Sequence, residues 1–323
     1  MAVPEERRQV TPTTLEPLAA HFGDEPRAYR SPHFVLLYDV EPWQARMHVL
    51  LLERTHAQFY EVFGQGDFAL RPLGERLVCL LFAEQADFVD YGRAADGMDL
   101  SWTGGYYSAR TNRVALFQRG WPEQQPDVVD AEPAMALVDR EREADQPTLR
   151  FSALEPAASD HRADGLASTV HEAAHQLAFN SGLQSRGVMY PLWVSEGLAI
   201  SFETQNPSKA FGPAYINEPR RADLRVAREA GRLMELEQFV SLVRPPVDDA
   251  AMVRAVYAQA WALFHHLYNH EPKALRGYLG RLADLPPGRR SAHVLRREFV
   301  SAFGPLEQFG DAWQAHLVAL TAE

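Results

Sequence analysis

The chain has 323 residues, a hydrophobic fraction of 46% and a formal net charge of −11 at pH 7. This length and composition suit one large or two closely packed domains, and the acidic balance argues against nucleic acid or an anionic membrane as partner. The first residues lack an apolar stretch of signal-peptide type and no run of 18 apolar residues follows, so we expect a cytoplasmic protein.

The first 118 residues predict an arm followed by an α/β layer. Residues 1–30 are polar and interrupted by prolines, which is typical of an N-terminal arm. In residues 31–118, apolar runs and helical periodicity predict strands at 33–38 and 77–82, helices at 41–63 and 83–91, and a hairpin at 104–117. Cys79, the single cysteine, lies in the second strand and is interpreted as a small core residue.

The rest of the chain predicts a helical region that follows an irregular segment. Residues 119–163 are acidic and proline-bearing, and we interpret them as either a lid or a solvated insertion. Residues 164–323 have helical periodicity almost throughout, with helices expected at 222–235, 236–242, 252–269, 272–283, 291–303 and 306–322. The predicted fold class is therefore α+β, a mixed α/β layer with its sheet packed on a largely helical C-terminal part.

The strongest local signal is the sequence His171-Glu172-Ala-Ala-His175. Positions four apart on a helix face the same way, with Cβ atoms about 5–6 Å apart, so both imidazoles can bind one metal ion. Glu172 is turned by about 100° from His171 and can reach a metal-bound water, which makes it the candidate general base. Ser181 occupies the position at which a metzincin would carry its third histidine, so that class is excluded.

A third protein ligand is expected, because catalytic zinc usually has three and an open position for water. Glu196, 21 residues after His175 (196 − 175), is a charged residue in a strongly apolar helical segment. Burial of an unpaired carboxylate is costly, so a metal is a good partner, although a cap or a salt bridge is the alternative. Glu203, seven residues further (203 − 196), is a candidate hydrogen-bond acceptor for a ligand histidine.

These residues carry a resemblance to a known clan. The zinc motif followed by Trp193-Val-Ser-Glu196-Gly-Leu-Ala resembles the gluzincin metallopeptidases, in which a W-x-x-E-G-x-A helix supplies the third zinc ligand. Tyr257-Ala-Gln-Ala-Trp261 resembles the helix whose tyrosine binds the developing oxyanion in aminopeptidases of that clan. Among its families, the sequence is most similar to the bacterial "peptidase MA-like" proteins. The aminopeptidase signature G-x-M-E-N is absent, so exopeptidase specificity is not expected.

The resemblance implies a thermolysin-like fold, one Zn²⁺ per chain held by His171, His175 and Glu196, and a peptide or protein substrate. It also implies an edge strand that pairs with the substrate, for which 106–117 is the candidate. Tyr257 would stabilise the oxyanion, or would be a core tyrosine with a satisfied hydroxyl. The alternatives are a catalytically silent zinc- or peptide-binding scaffold and a zinc hydrolase of a non-peptide amide or ester. His265, His266 and His270 are interpreted as structural or surface residues.

Overall fold

The computed structural model describes residues 12–22, 27–65, 68–118, 160–246 and 249–322. Within these residues one mixed β-sheet is combined with long helices, which confirms the α+β class. The chain divides into two compact units, the first made of residues 1–58, 71–177 and 204–210 and the second of residues 59–70, 178–203 and 211–323. Residues 119–159, most of the segment interpreted as a lid or insertion, lie outside the described residues.

The first unit contains a five-stranded sheet in the order β1-β2-β3-β5-β4. Strands β2, β3 and β5 are parallel, and β1 and β4 are antiparallel to their neighbours. Every residue of β2 and β3 is buried, as expected for continuous apolar runs in a parallel sheet. The strands are β1 Arg27–Arg30, β2 Phe34–Tyr38, β3 Leu77–Phe82, β4 Gly105–Ser108 and β5 Arg113–Phe117.

Residues 12–22 and 27–30 differ from the expected arm. They form helix α1 (Pro12–Ala19), a 3-10 turn (Ala20–Phe22) and β1. Leu15, Leu18 and Phe22 belong to the hydrophobic core of this unit, where the ring of Phe22 stacks on Phe82 at 4.7 Å. These apolar side chains stabilise a segment whose prolines and polar residues suggested an arm.

Three further helices begin in this unit: α2 Pro42–Gln65, α3 Gln85–Asp96 and α4 Asp160–Asn180.

The second unit is helical, and three of its helices begin at a side-chain cap. Asn217 and Asp249 each accept hydrogen bonds from main-chain N–H groups of the helix that follows. The helix predicted at 222–235 lies instead at Glu218–Glu229, because Asn217 caps it and Gly231 takes a positive φ of 64° just beyond it. The helices are α5 Leu192–Phe202, α6 Glu218–Glu229, α7 Leu236–Phe239, α8 Ala250–His270, α9 Pro272–Ala283, α10 Ala292–Phe303 and α11 Leu306–Ala322.

The length and polarity of each helix decide whether it could cross a membrane. Within the described ranges, none of the helices combines the length and the apolar character needed to cross a bilayer. The longest, α2, has 24 residues, but charged and polar side chains recur along it.

Candidate metal centre

Helix α4 is fixed to the sheet of the first unit by buried polar contacts. The Gln176 side-chain nitrogen donates to the main-chain oxygens of Val78 (3.1 Å) and Asn112 (3.0 Å). The Cys79 thiol donates to the Gln176 carbonyl oxygen at 3.6 Å. About two helical turns before Gln176 (176 − 169 = 7 residues), Thr169 Oγ1 lies 3.0 Å from Nδ1 of His48 on α2. Contacts to both neighbours leave α4 little freedom to rotate, which a rigid pair of metal ligands needs.

His171 and His175 project from α4 as the helical spacing predicts. Their Nε2 atoms are 3.1 Å apart, and only 8% of His175 is exposed. Two nitrogen ligands at the usual Zn–N distance of 2.0–2.1 Å in a tetrahedral site are about 3.3 Å apart. The separation of the two nitrogens and their chemistry therefore fit a zinc ion.

Glu172 lies against the edge strand of the same unit. A Cβ atom built on Gly105 of β4 would come within 3.3 Å of Cγ of Glu172 and 2.5 Å of the Leu116 side chain. Glycine at this position lets the strand pass close to the carboxylate-bearing side chain. The candidate general base thus lies close to the main chain of β4.

Fewer residues form this edge of the sheet than the hairpin segment, residues 106–117, that was predicted for it. Strand β5 lies between β3 and β4, so within the described strands only β4 forms this edge. The N–H of Phe117 donates to the oxygen of Gly104, so these two residues form a hydrogen-bonded pair. Along an antiparallel ladder, hydrogen-bonded pairs alternate with pairs whose main-chain groups point away from the partner strand. Gly105 and Tyr107 therefore direct their main-chain groups away from β5. Consistent with this, the Gly105 oxygen accepts a hydrogen bond from the Thr103 hydroxyl at 2.8 Å.

Glu196 lies in the second unit, on the buried helix α5. The neighbouring Trp193 anchors this helix, because its ring stacks on Tyr278 at 5.4 Å and its Nε1 donates to the Val240 oxygen at 3.3 Å. All residues of α5 except Ser195 and Glu196 are buried. The carboxylate therefore sits at the one partly open place on an apolar helix.

Helix α5 packs on α8 at Gly197, and this contact positions Tyr257. A Cβ atom on Gly197 would lie 2.4 Å from the main-chain oxygen of Ala260, so only glycine allows the observed approach. Tyr257 lies three residues before Ala260 (260 − 257), one helical turn from the contact point. The glycine that follows Glu196 in the W-x-x-E-G pattern thus brings together the helices of Glu196 and Tyr257.

Glu203, at the end of α5, forms a two-point ion pair with Arg220 of α6. The arginine Nε and a terminal nitrogen donate to the two carboxylate oxygens at 2.9 and 3.0 Å. The predicted hydrogen bond from a ligand histidine to Glu203 stays a prediction. A carboxylate has about four acceptor sites, so the ion pair leaves capacity for a further donor.

The structure brings together two other groups of potential ligands. Of their members the sequence analysis named only His266 and His270, which it interpreted as structural or surface residues. His33 and Glu53 share a hydrogen bond of 2.7 Å, and the ring of His33 stacks on His56 at 3.6 Å. In the second unit, His266 and His270 of α8 lie near His316 of α11. The i, i+4 spacing of His266 and His270 was a visible signal, but their third member is 46 residues away (316 − 270).

One comparison with known proteins covers the part of the chain that contains the candidate site. The sequence model of a family described as "Protein of unknown function (DUF1570)" matches residues 165–288. This range begins in α4 and includes all six predicted site residues, from His171 to Tyr257. No curated protein matches the sequence.

Proposed function

We propose that this protein is a zinc-dependent metallopeptidase of the gluzincin type, acting as an endopeptidase. His171, His175 and Glu196 are its metal ligands, Glu172 is the general base and Tyr257 is the oxyanion donor. The observation that carries the proposal is the 3.1 Å separation of the two histidine Nε2 atoms, with Glu172 next to them on the same rigid helix and beside β4. The resemblance to gluzincins and to their peptidase MA-like family supports it through the Trp193–Ala199 pattern, in which Gly197 is required by packing.

A zinc ion held by these ligands supplies a Lewis acid and lowers the pKa of water. Glu172 accepts a proton from the attacking water and passes it to the leaving amine as the peptide bond breaks. The Tyr257 hydroxyl donates a hydrogen bond to the carbonyl oxygen of the substrate as negative charge develops there. These roles together use side chains from α4, α5 and α8.

Strand β4 binds the substrate in this proposal. An extended peptide would pair with the outward main-chain groups of Tyr107, as peptides do when they add a strand to a sheet edge. At Gly105 it would first displace the Thr103 hydroxyl, which is hydrogen-bonded to both main-chain groups of that glycine. Main-chain pairing selects an extended conformation more than a particular sequence. It would also place a backbone carbonyl close to Glu172, because a Cβ atom at Gly105 would lie only 3.3 Å from Cγ of that side chain.

The proposal is tested by metal content and peptide hydrolysis measured on the same samples of wild type and Glu196→Ala. We expect the variant to hold one zinc per chain fewer than wild type and to lose cleavage of an internally quenched peptide library. Asp311→Ala is the matched control, since it removes an exposed carboxylate from α11 of the same unit. Equal zinc and equal activity in Glu196→Ala would contradict the ligand assignment. Wild type that holds zinc in this site without cleaving any peptide would contradict the peptidase, and would favour a silent scaffold or a non-peptide substrate.

A further inference from the structure

We infer that His266, His270 and His316 form a second metal site, separate from the α4 motif and able to hold a zinc-class divalent ion. All three residues lie in the second unit, two on α8 and one on α11. One ring nitrogen from each lies within 4.8 Å of the others. Small side-chain rotations bring such nitrogens to the spacing of about 3.3 Å that a tetrahedral zinc site requires.

Two buried nitrogens in this three-histidine group have no partner among the described residues. Nδ1 of His266 and Nε2 of His316 are both inaccessible to solvent and unbonded there. His266 as a whole is only 7% exposed. Burial of a polar atom without a hydrogen bond is costly, so two such atoms in one cluster indicate a partner for both. A metal ion is a partner that accepts lone pairs from several imidazoles at once.

The surroundings suit metal binding by neutral imidazoles. Phe309 and Trp313 of α11 make edge contacts with the ring of His266 at 5.8 and 6.1 Å. Burial in this aromatic wall, with the neighbouring histidines, lowers the pKa of His266 to about 4 and that of His316 to about 3.

The neighbouring His265 is not a member of the group, although its ring lies 5.9 Å from that of His316. Its Nδ1 is 2.8 Å from the Pro213 oxygen and its ring stacks on Trp261. This histidine is thus used in packing, as the sequence suggested. The same interpretation does not account for the unbonded nitrogens of His266 and His316.

The donor set defines the metal and its role. Three imidazoles favour zinc and the neighbouring metals cobalt, nickel and copper over magnesium or calcium, which prefer oxygen. His270 is exposed, so water can complete a fourth position on the solvent side. Because two ligands belong to α8 and one to α11, the bound ion would join the C-terminal helix to the helix that carries Tyr257.

The test uses the full chain in which the α4 motif has been removed by His171→Gln and His175→Gln. In this background we expect about one zinc per chain after gel filtration, and no more than a small remainder when His270→Gln is added. Position 270 is exposed, so this change leaves the fold intact, and His293→Gln, an exposed histidine of α10, is the matched control that keeps the zinc. A background protein that retains no zinc, or a His270→Gln variant that retains all of it, would overturn the inference.

A thermal measurement gives an independent readout on the same proteins. At a zinc concentration about a hundredfold above Kd, binding raises the Tm of a domain of roughly 150–250 residues by about 5–10 °C. We expect this shift in the background and in its His293→Gln form, and none in its His270→Gln form. Equal shifts in all three would mean that zinc binds elsewhere. The result is independent of peptide hydrolysis, so the second site and the proposed peptidase succeed or fail separately.

Discussion

The α4 pair (His171 and His175) and the three-histidine group both start from two histidines four residues apart on a long helix, but their neighbours differ. The α4 pair has Glu172 between its members and lies beside the main chain of β4. In the three-histidine group the residue after His266 is Leu267, and the wall is aromatic. In our proposals, therefore, the same ligand spacing lies beside a general base in one place and beside an aromatic wall in the other.

The largest expected effect comes from a change at Glu172, the proposed general base beside the α4 pair. Glu172→Gln removes the proton acceptor but keeps the shape of the side chain, so we expect kcat to fall by about 10³-fold, in the range for general acid–base catalysis. Zinc content should stay at the wild-type value, since Glu172 is not a ligand. Peptide hydrolysis and metal analysis of the same preparation check this. Activity within tenfold of wild type would remove Glu172 from the reaction.

The second effect concerns Tyr257 of α8, the proposed oxyanion donor. Tyr257→Phe is expected to lower kcat by about 10²-fold or more, with little change in KM, because the hydrogen bond strengthens only as charge develops. Tyr268→Phe on the same helix is the control. Its hydroxyl donates to the Val62 oxygen at 2.9 Å, so the change should cost about 1 kcal/mol of stability and leave kcat unchanged. If both variants behave alike, Tyr257 is a core tyrosine.

How much was predictable from the sequence depended on how local the signal is. Strands β2 and β3 and helix α9 are where the apolar pattern placed them, because burial of those faces is decided within a few residues. The spacing of the α4 pair is likewise local. The choice of β4 as the edge is not, since it depends on β5 inserting between β3 and β4. His316 meets His266 only through the packing of α11 on α8, which no periodicity reveals.

A third prediction tests the packing that brings the helices of Glu196 and Tyr257 together. Gly197→Ala places a methyl group 2.4 Å from the main-chain oxygen of Ala260, and a backbone atom does not move aside easily. We expect a loss of about 3 kcal/mol in the free energy of unfolding, measured by urea denaturation. Gly280→Ala, on an exposed face of α9 with open space around the glycine, should instead be neutral or stabilise by up to about 1 kcal/mol. Similar stabilities for both variants would show that α5 and α8 tolerate separation.

The smallest effect distinguishes the two partners assigned to Glu203. If its ion pair with Arg220 is its only task, Glu203→Gln and Arg220→Met should each cost about 1–2 kcal/mol, because the pair is largely shielded from solvent, and the double variant should cost no more than either. If Glu203 also accepts a hydrogen bond from a ligand histidine, Glu203→Gln alone should weaken zinc binding by about 10-fold or more. Competition with a chelator of known affinity measures that difference. Equal zinc affinity in the two single variants would leave Glu203 as the ion-pair partner of α6, and would restrict the metal centre to groups on α4, α5 and α8.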